Sequence, residues 1–200
     1  PQSIQLLTDN FLPNYLKQHS DKNNILVWSV GCATGEESYS LAMAMDDYLQ
    51  RNFSNIYFGI VGSDISLPAI SKARKGIYDC RRLKNLPTSF LERYLSKQQD
   101  GNFQITENLR KRVCFNMLNL LEMEQNTINE VDIIFCQNVL IYFDMKMRHT
   151  ILDKLVENLM PGGLLMLGVG EAMEWQHPQM TRLKGYDALA FTKESYDAKE

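Results

Sequence analysis

The chain has 200 residues, 44% of them hydrophobic, which suits one domain with a sizeable core. A formal charge of −3 excludes a general nucleic-acid binder, although basic clusters stand at Arg81-Arg82-Leu83-Lys84 and Arg110-Lys111-Arg112. No apolar run approaches the ~20 residues of a membrane span, and no signal peptide is visible.

In chain order, residues 3–17 read as an amphipathic helix with Ile4, Leu7, Phe11 and Tyr15 on one stripe, bent or ended at Pro13. His19 to Asn24 is a polar loop, residues 25–30 are a strand, and residues 35–50 are a helix with Tyr39, Leu41, Ala42, Met45 and Leu49 at helical spacing. Residues 55–63 form the second strand. Asp64 or Ser66 is placed to cap the helix that follows, with Pro68 in its first turn and Gly76 near its end. Apolar strands alternating with helices predict a parallel sheet covered on both faces.

The alternation breaks over residues 79–116. Pro87 to Leu95 reads as a short helix, and Asp100-Gly101 is a hairpin signal between Tyr94–Lys97 and Phe103–Thr106. Residues 112–117 are again a strand. A small antiparallel hairpin inserted into the parallel sheet accounts for this, and it either docks a partner by strand addition or is a surface excursion without one. Residues 130–136 are a central strand, followed by Gln137-Asn138 and the segment Val139 to Asp144. A helix over 145–160, a turn at Pro161-Gly162-Gly163 and a fifth strand from Leu164 to Val169 come next. Two short strands, 181–183 and 188–192, flank a turn at Gly185, and 194–200 is a frayed tail. Cys32, Cys80, Cys114 and Cys136 show no CxxC pairing and read as reduced cytosolic thiols, two of them in buried strands. His19, His149 and His177 are scattered, so no metal is expected.

The chemistry concentrates in Trp28-Ser-Val-Gly-Cys-Ala-Thr-Gly-Glu-Glu-Ser-Tyr-Ser40. A strand, a glycine turn and a helix open a nucleotide-binding βαβ unit, with Gly31 and Gly35 allowing close backbone approach. The spacing is neither the dinucleotide fingerprint nor a P-loop. Glu36 and Glu37 occupy the place of a phosphate and would repel one. A ligand with a cationic or hydroxyl-rich end fits better, and S-adenosylmethionine has both a sulfonium and an amino group. A plain helix cap in another α/β protein is the competing reading. Asp64, 33 residues after Gly31 at the end of the second strand, is placed either to bind ribose hydroxyls or to cap a helix.

Gly31-Cys-Ala-Thr-Gly-Glu-Glu-Ser-Tyr-Ser40, Ser63-Asp-Ile65, Ala73-Arg-Lys-Gly-Ile-Tyr78, Leu118-Asn-Leu-Leu121, Phe135-Cys-Gln-Asn-Val-Leu-Ile-Tyr-Phe-Asp144 and Pro161-Gly-Gly-Leu-Leu165 run through nearly the whole chain. Together they resemble the CheR-type methyltransferases, which esterify glutamate side chains of chemoreceptors with S-adenosylmethionine and release S-adenosylhomocysteine. The resemblance implies a Rossmann-like α/β fold with a seven-stranded, mostly parallel sheet. It implies a catalytic domain over 1–193, with 79–116 as an inserted β subdomain. It also implies a cytoplasmic enzyme whose partner is the receptor's cytoplasmic domain, with no nucleic acid and no membrane insertion.

Carried over by position, Gly31, Ala33 and Glu37 would line the methionine end of the cofactor and Asp64 would hold the ribose. Asn119 and Leu120 would sit by the adenine, and Gln137 and Asn138 would reach the methionyl side and the methyl group. Tyr142 would be the catalytic residue, projecting near the methyl. Its alternative is a core aromatic of Ile141-Tyr-Phe143.

Some features depart from the family. Position 137 is Gln where relatives often have Arg, and Gly170-Glu171 stands where many have Ser-Glu. The Ser96–Asn102 connection is short and lacks the glycine-rich turn of peptide-binding members, so tethering of a receptor tail is not expected. Relatives carry an N-terminal helical domain and a Thr-x-Phe-Phe-Arg stretch just upstream of Pro1. Neither is in this sequence, which is therefore expected to be an excised fragment that binds cofactor weakly. A same-fold methyltransferase with another substrate and a non-catalytic binding module remain open readings.

Overall fold

The fold was obtained as a computed structural model that describes residues 2–53, 55–125, 128–186 and 188–195. Most of the elements expected from the sequence are present. The chain opens with a continuous helix made of α1 (Gln2–Gln5), a π-helical stretch (Leu6–Phe11) and α2 (Leu12–Gln18). Pro13 neither ends nor breaks it. The turns ahead of the proline widen, with Leu12 N–H reaching back to Leu7 C=O, and the helix runs on to Gln18.

β1 (Asn24–Val30), α3 (Glu36–Asn52), β2 (Tyr57–Asp64) and α4 (Leu67–Lys75) follow. β3 (Ile77–Tyr78), α5 (Thr88–Tyr94), β4 (Leu95–Lys97) and β5 (Phe103–Ile105) make the insertion, and α6 (Glu107–Arg110) leads back to β6 (Val113–Met117). β7 (Val131–Cys136), α7 (Met145–Asn158), β8 (Leu159–Leu167), β9 (Met180–Arg182) and β10 (Leu189–Lys193) complete the order.

The described residues form a seven-stranded sheet in the order β6-β2-β1-β7-β8-β10-β9 and a three-stranded sheet in the order β3-β5-β4. β6, β2, β1, β7 and β8 pair in parallel, and β10 runs antiparallel between β8 and β9. The small sheet is antiparallel throughout and turns at Gly101, whose φ is +83°.

Helices cover both faces of the large sheet. One apolar layer gathers Leu7, Leu12, Val27, Leu41, Met45, Ile60 and Ile133; the other gathers Trp28, Ile134, Leu152, Leu155 and Leu165. Val27 and Trp28 lie next to each other in sequence yet serve opposite layers, as strand alternation requires. Asp132, only 2% exposed, accepts Tyr15 Oη at 2.6 Å and the Leu26 N–H at 2.7 Å and pairs with Lys22 at 2.5 Å. This buried carboxylate is paired and saturated, and it pins the N-terminal helix to the central strands.

Three expectations are corrected. Pro161-Gly162-Gly163 is not a turn ahead of a strand. Leu159 already pairs with Val131, and the three residues lie within β8 in a bulge before Leu164 pairs with Ile133. Residues 120–125 form a 3₁₀ stretch where no element was expected, and its Leu120 and Met123 join the apolar layer of Trp28 and Ile134. Cys114 lies exposed on the edge strand β6, whereas Cys136 on the central strand β7 is buried. The frayed tail expected at 194–200 falls for the most part outside the described residues. No helix among those described is long and apolar enough to cross a membrane.

Candidate functional site

The sheet order reverses between β1 and β7, and ligands in open α/β sheets bind outside the carboxyl ends of the strands at such a point. A cavity of about 420 Å³ lies there, lined by residues that follow β1, β2, β6 and β7.

The first wall is the turn after β1. Gly31, Ala33 and Gly35 all adopt positive φ (+64°, +46° and +90°), which coils the backbone tightly before α3. Cys32 N–H bonds to Ser63 C=O at 2.9 Å and Gly35 N–H to Cys32 C=O at 2.8 Å. Glu36 and Glu37 fall in the first turn of α3, where the helix dipole favours carboxylates.

The second wall is the end of β2. Asp64 accepts the Ala33 N–H on Oδ2 at 2.9 Å and the Ser66 N–H on Oδ1 at 2.8 Å. Ser66, not Asp64, caps α4, accepting the Ala69 N–H at 3.4 Å. Asp64 lines the cavity beside Ile65.

Leu118, Asn119 and Leu120 form the third wall. The Asn119 amide is committed locally, accepting from Leu121 N–H at 3.1 Å and donating to Glu122 at 3.0 Å. Its neighbours Leu118 and Leu120 supply apolar surface.

The fourth wall is the segment after β7. Asn138 is left-handed at φ +61°, and Asn138, Val139, Tyr142 and Phe143 face the cavity. Tyr142 is 81% exposed, which excludes the core-aromatic reading and places it on the rim. No described residue partners its hydroxyl.

Two expected residues do not line the cavity. Gln137 turns to Leu167 C=O, to which its Nε2 donates at 3.2 Å. Glu37 lies behind the glycine turn, accepting from Ser29 Oγ at 2.9 Å. Burial pushes its carboxyl up to about 7; the Ser29 hydrogen bond opposes that shift and the charge of Glu171 adds to it.

Glu171 carries more of the site than its place in the sequence suggested. It is 1% exposed and accepts four backbone N–H groups: Asn138 at 3.0 Å, Val139 at 2.8 Å, Leu140 at 2.7 Å and Gly168 at 2.6 Å. The available signal was an acid directly after an apolar strand. Nothing local said that three of its four partners lie some thirty residues upstream.

The inserted sheet touches the site from outside. Tyr78 Oη donates to Thr34 C=O at 2.8 Å, and Arg82 pairs with Glu36, which also accepts from Thr34 Oγ1 at 2.5 Å. No group of three or more His, Cys, Asp or Glu among the described residues could hold a metal ion.

The family model described as "CheR methyltransferase, SAM binding domain" matches residues 1–188. The chain is 37% identical over 172 residues to the "Chemotaxis protein methyltransferase" of Borreliella burgdorferi, covering 85% of this chain and 61% of that protein. It is 36% identical over 171 residues to the protein of the same name from Escherichia coli, covering 84% of this chain and 59% of the relative. The chain thus spans about three-fifths of the length of these curated relatives. Among solved structures, magnesium protoporphyrin IX methyltransferase from Synechocystis PCC 6803 with bound SAM superposes with a TM-score of 0.51. That match has 16% identity and covers 96% of this chain and 79% of the other, a likeness of fold.

Proposed function

The chain belongs to the CheR methyltransferase family, in its S-adenosylmethionine-binding domain, and from that premise we propose that it methylates glutamate side chains of chemoreceptors. The observation that carries this reading is the convergence of the glycine turn, Asp64 and the Asn138–Tyr142 segment on one cavity at the switch point of the sheet.

The cavity fits the cofactor. Its walls are largely apolar at Ile65, Leu118, Leu120, Val139 and Phe143, suited to an adenine ring, and one carboxylate stands at the end of β2, suited to ribose hydroxyls. Gly31 and Ala33 would flank the methionine end, with Glu37 behind them as an acid for its ammonium. Asn119 and Leu120 would flank the adenine and Asn138 the methyl. Gln137 is assigned a supporting role, holding β8 rather than touching ligand.

When bound, the cofactor supplies an electrophilic sulfonium methyl. A glutamate, whose ordinary pKa lies well below 7, is already ionised at neutral pH, so no general base is required of the chain. The protein's tasks are orientation and exclusion of water. Tyr142 stands at the rim with a free hydroxyl that can donate to the incoming carboxylate and aim it.

Residues 1–193 act as one catalytic domain, and the insertion expected over 79–116 takes in β3 as its first strand and gives way to β6 of the large sheet. The protein works in the cytoplasm on the receptor's cytoplasmic domain. On this reading the inserted sheet is not expected to hold a receptor tail, a view supported by its short β4–β5 connection, closed by Gln98 N–H on Asn102 C=O at 2.8 Å. The deciding experiment mixes full-length protein, labelled cofactor and receptor. Base-labile label that leaves the receptor as methanol is the expected result; a base-stable product would overturn the glutamate assignment.

A further inference from the structure

We propose that Glu171 is the positioning residue of the cofactor site, a buried carboxylate that sets the distance between its two central walls. The proposal rests on the reading of the cavity as the cofactor site.

Three observations meet at this side chain. First, its oxygens divide their work. Oε1 takes the N–H groups of Val139 and Leu140, and Oε2 takes those of Asn138 and Gly168. Three consecutive amides after β7 and one amide at the end of β8 therefore share one carboxylate, which ties the carboxyl ends of the two strands together. Charge-assisted bonds from backbone amides are short and strong, and at 1% exposure water offers no substitute.

Second, the packing around that carboxylate is close. A Cβ on Gly168 would sit 2.3 Å from Glu171 Oε2 and 3.0 Å from Asn138 N. Only glycine lets the β8 end come this close.

Third, the clamped segment bears directly on the opposite wall. A Cβ on Gly31 would lie 2.3 Å from Val139 Cγ2. Val139 thus rests on the bare backbone of the glycine turn. The line of contact runs from Glu171 through the Val139 amide and side chain to Gly31, and both of the latter residues line the cavity. The same clamp fixes Asn138 at its positive φ and starts the 3₁₀ turn that carries Tyr142 to the rim.

Glu171→Gln replaces one acceptor oxygen with an amino group facing backbone donors, so part of the clamp must open. Glu171→Asp keeps the charge and both acceptors on a shorter stem. The test uses the full-length protein, with S-adenosylhomocysteine as the calorimetric probe and amide exchange as the structural one. Leu155→Ala, a buried change in α7, controls for lost stability alone.

E171Q is expected to bind the probe at least tenfold more weakly, with faster exchange at Asn138, Val139 and Leu140. E171D should recover part of both, and L155A should bind within twofold of wild type at a temperature where all are folded. Wild-type affinity in E171Q, with only a lower Tm, would overturn the proposal. Wild-type protein that ignores the probe would instead sink the cofactor reading, and this inference with it.

Discussion

Asp64 holds the glycine turn with one oxygen and its own helix entry with the other, the Ala33 N–H at 2.9 Å and the Ser66 N–H at 2.8 Å. The carboxylate is therefore preorganised: its orientation is fixed by backbone before any ligand arrives, and Asp64 lines the cavity. Asp64→Ala is expected to weaken S-adenosylhomocysteine binding by about 1–3 kcal/mol, the scale of a hydrogen bond to a charged group. Asp64→Asn, which keeps one acceptor, should lose less. Unchanged affinity by calorimetry would remove Asp64 from the site.

Gly31 is expected to tolerate no side chain. Its φ is +64°, and an added Cβ would meet Val139 Cγ2 at 2.3 Å. Gly31→Ala should cost on the order of 1–3 kcal/mol from backbone strain and overpacking together. Val139→Ala in the same chain removes the clash and leaves the strain, so the double variant should regain part of the loss in a denaturation cycle. Additive losses would show that the two residues do not press on each other.

Tyr142 offers a test that separates binding from turnover. It is exposed, its hydroxyl is unpartnered among the described residues, and it sits on the cavity rim. Tyr142→Phe in the full-length protein should lower kcat roughly tenfold, the loss of one aiming hydrogen bond, with cofactor affinity unchanged. Wild-type turnover would assign Tyr142 to surface packing alone.

The parallel sheet was legible because its strands are short apolar runs divided by glycine turns, and the cavity walls were legible because each directly follows a strand. Asp64 was found by that rule, whereas Asn138 and Tyr142 came from the family resemblance. What escaped reading depended on distance along the chain. Glu171 gains its role from amides more than thirty positions earlier in sequence, and Gln137 turns away to β8 although Asn138 beside it faces the cavity. Pro13 and the Pro161–Gly163 stretch misled for a different reason. Each is a strong local breaker that neighbouring backbone absorbed, by a π-helical stretch in one case and a bulge in the other.

The acid behind the glycine turn is expected to make the site sensitive to pH. Burial raises the Glu37 carboxyl to about 7 in the folded protein, above its ordinary value of 4.5. A group raised in this way favours the fold when protonated. Its contribution is fully present below about 4.5 and is lost as pH climbs through about 7. Ligand binding should run the other way. A ligand ammonium near Glu37 favours the carboxylate, so S-adenosylhomocysteine affinity should rise with pH up to and through 7 and then level off, with a proton released on binding in the lower range. Glu37→Gln should flatten both profiles. The comparison is wild type against the variant at pH 5.5 and pH 8, by denaturant melts without ligand and by calorimetry with it. Matching pH dependence in the two proteins would take Glu37 out of contact with the ligand's charge and leave it a buried partner of Ser29.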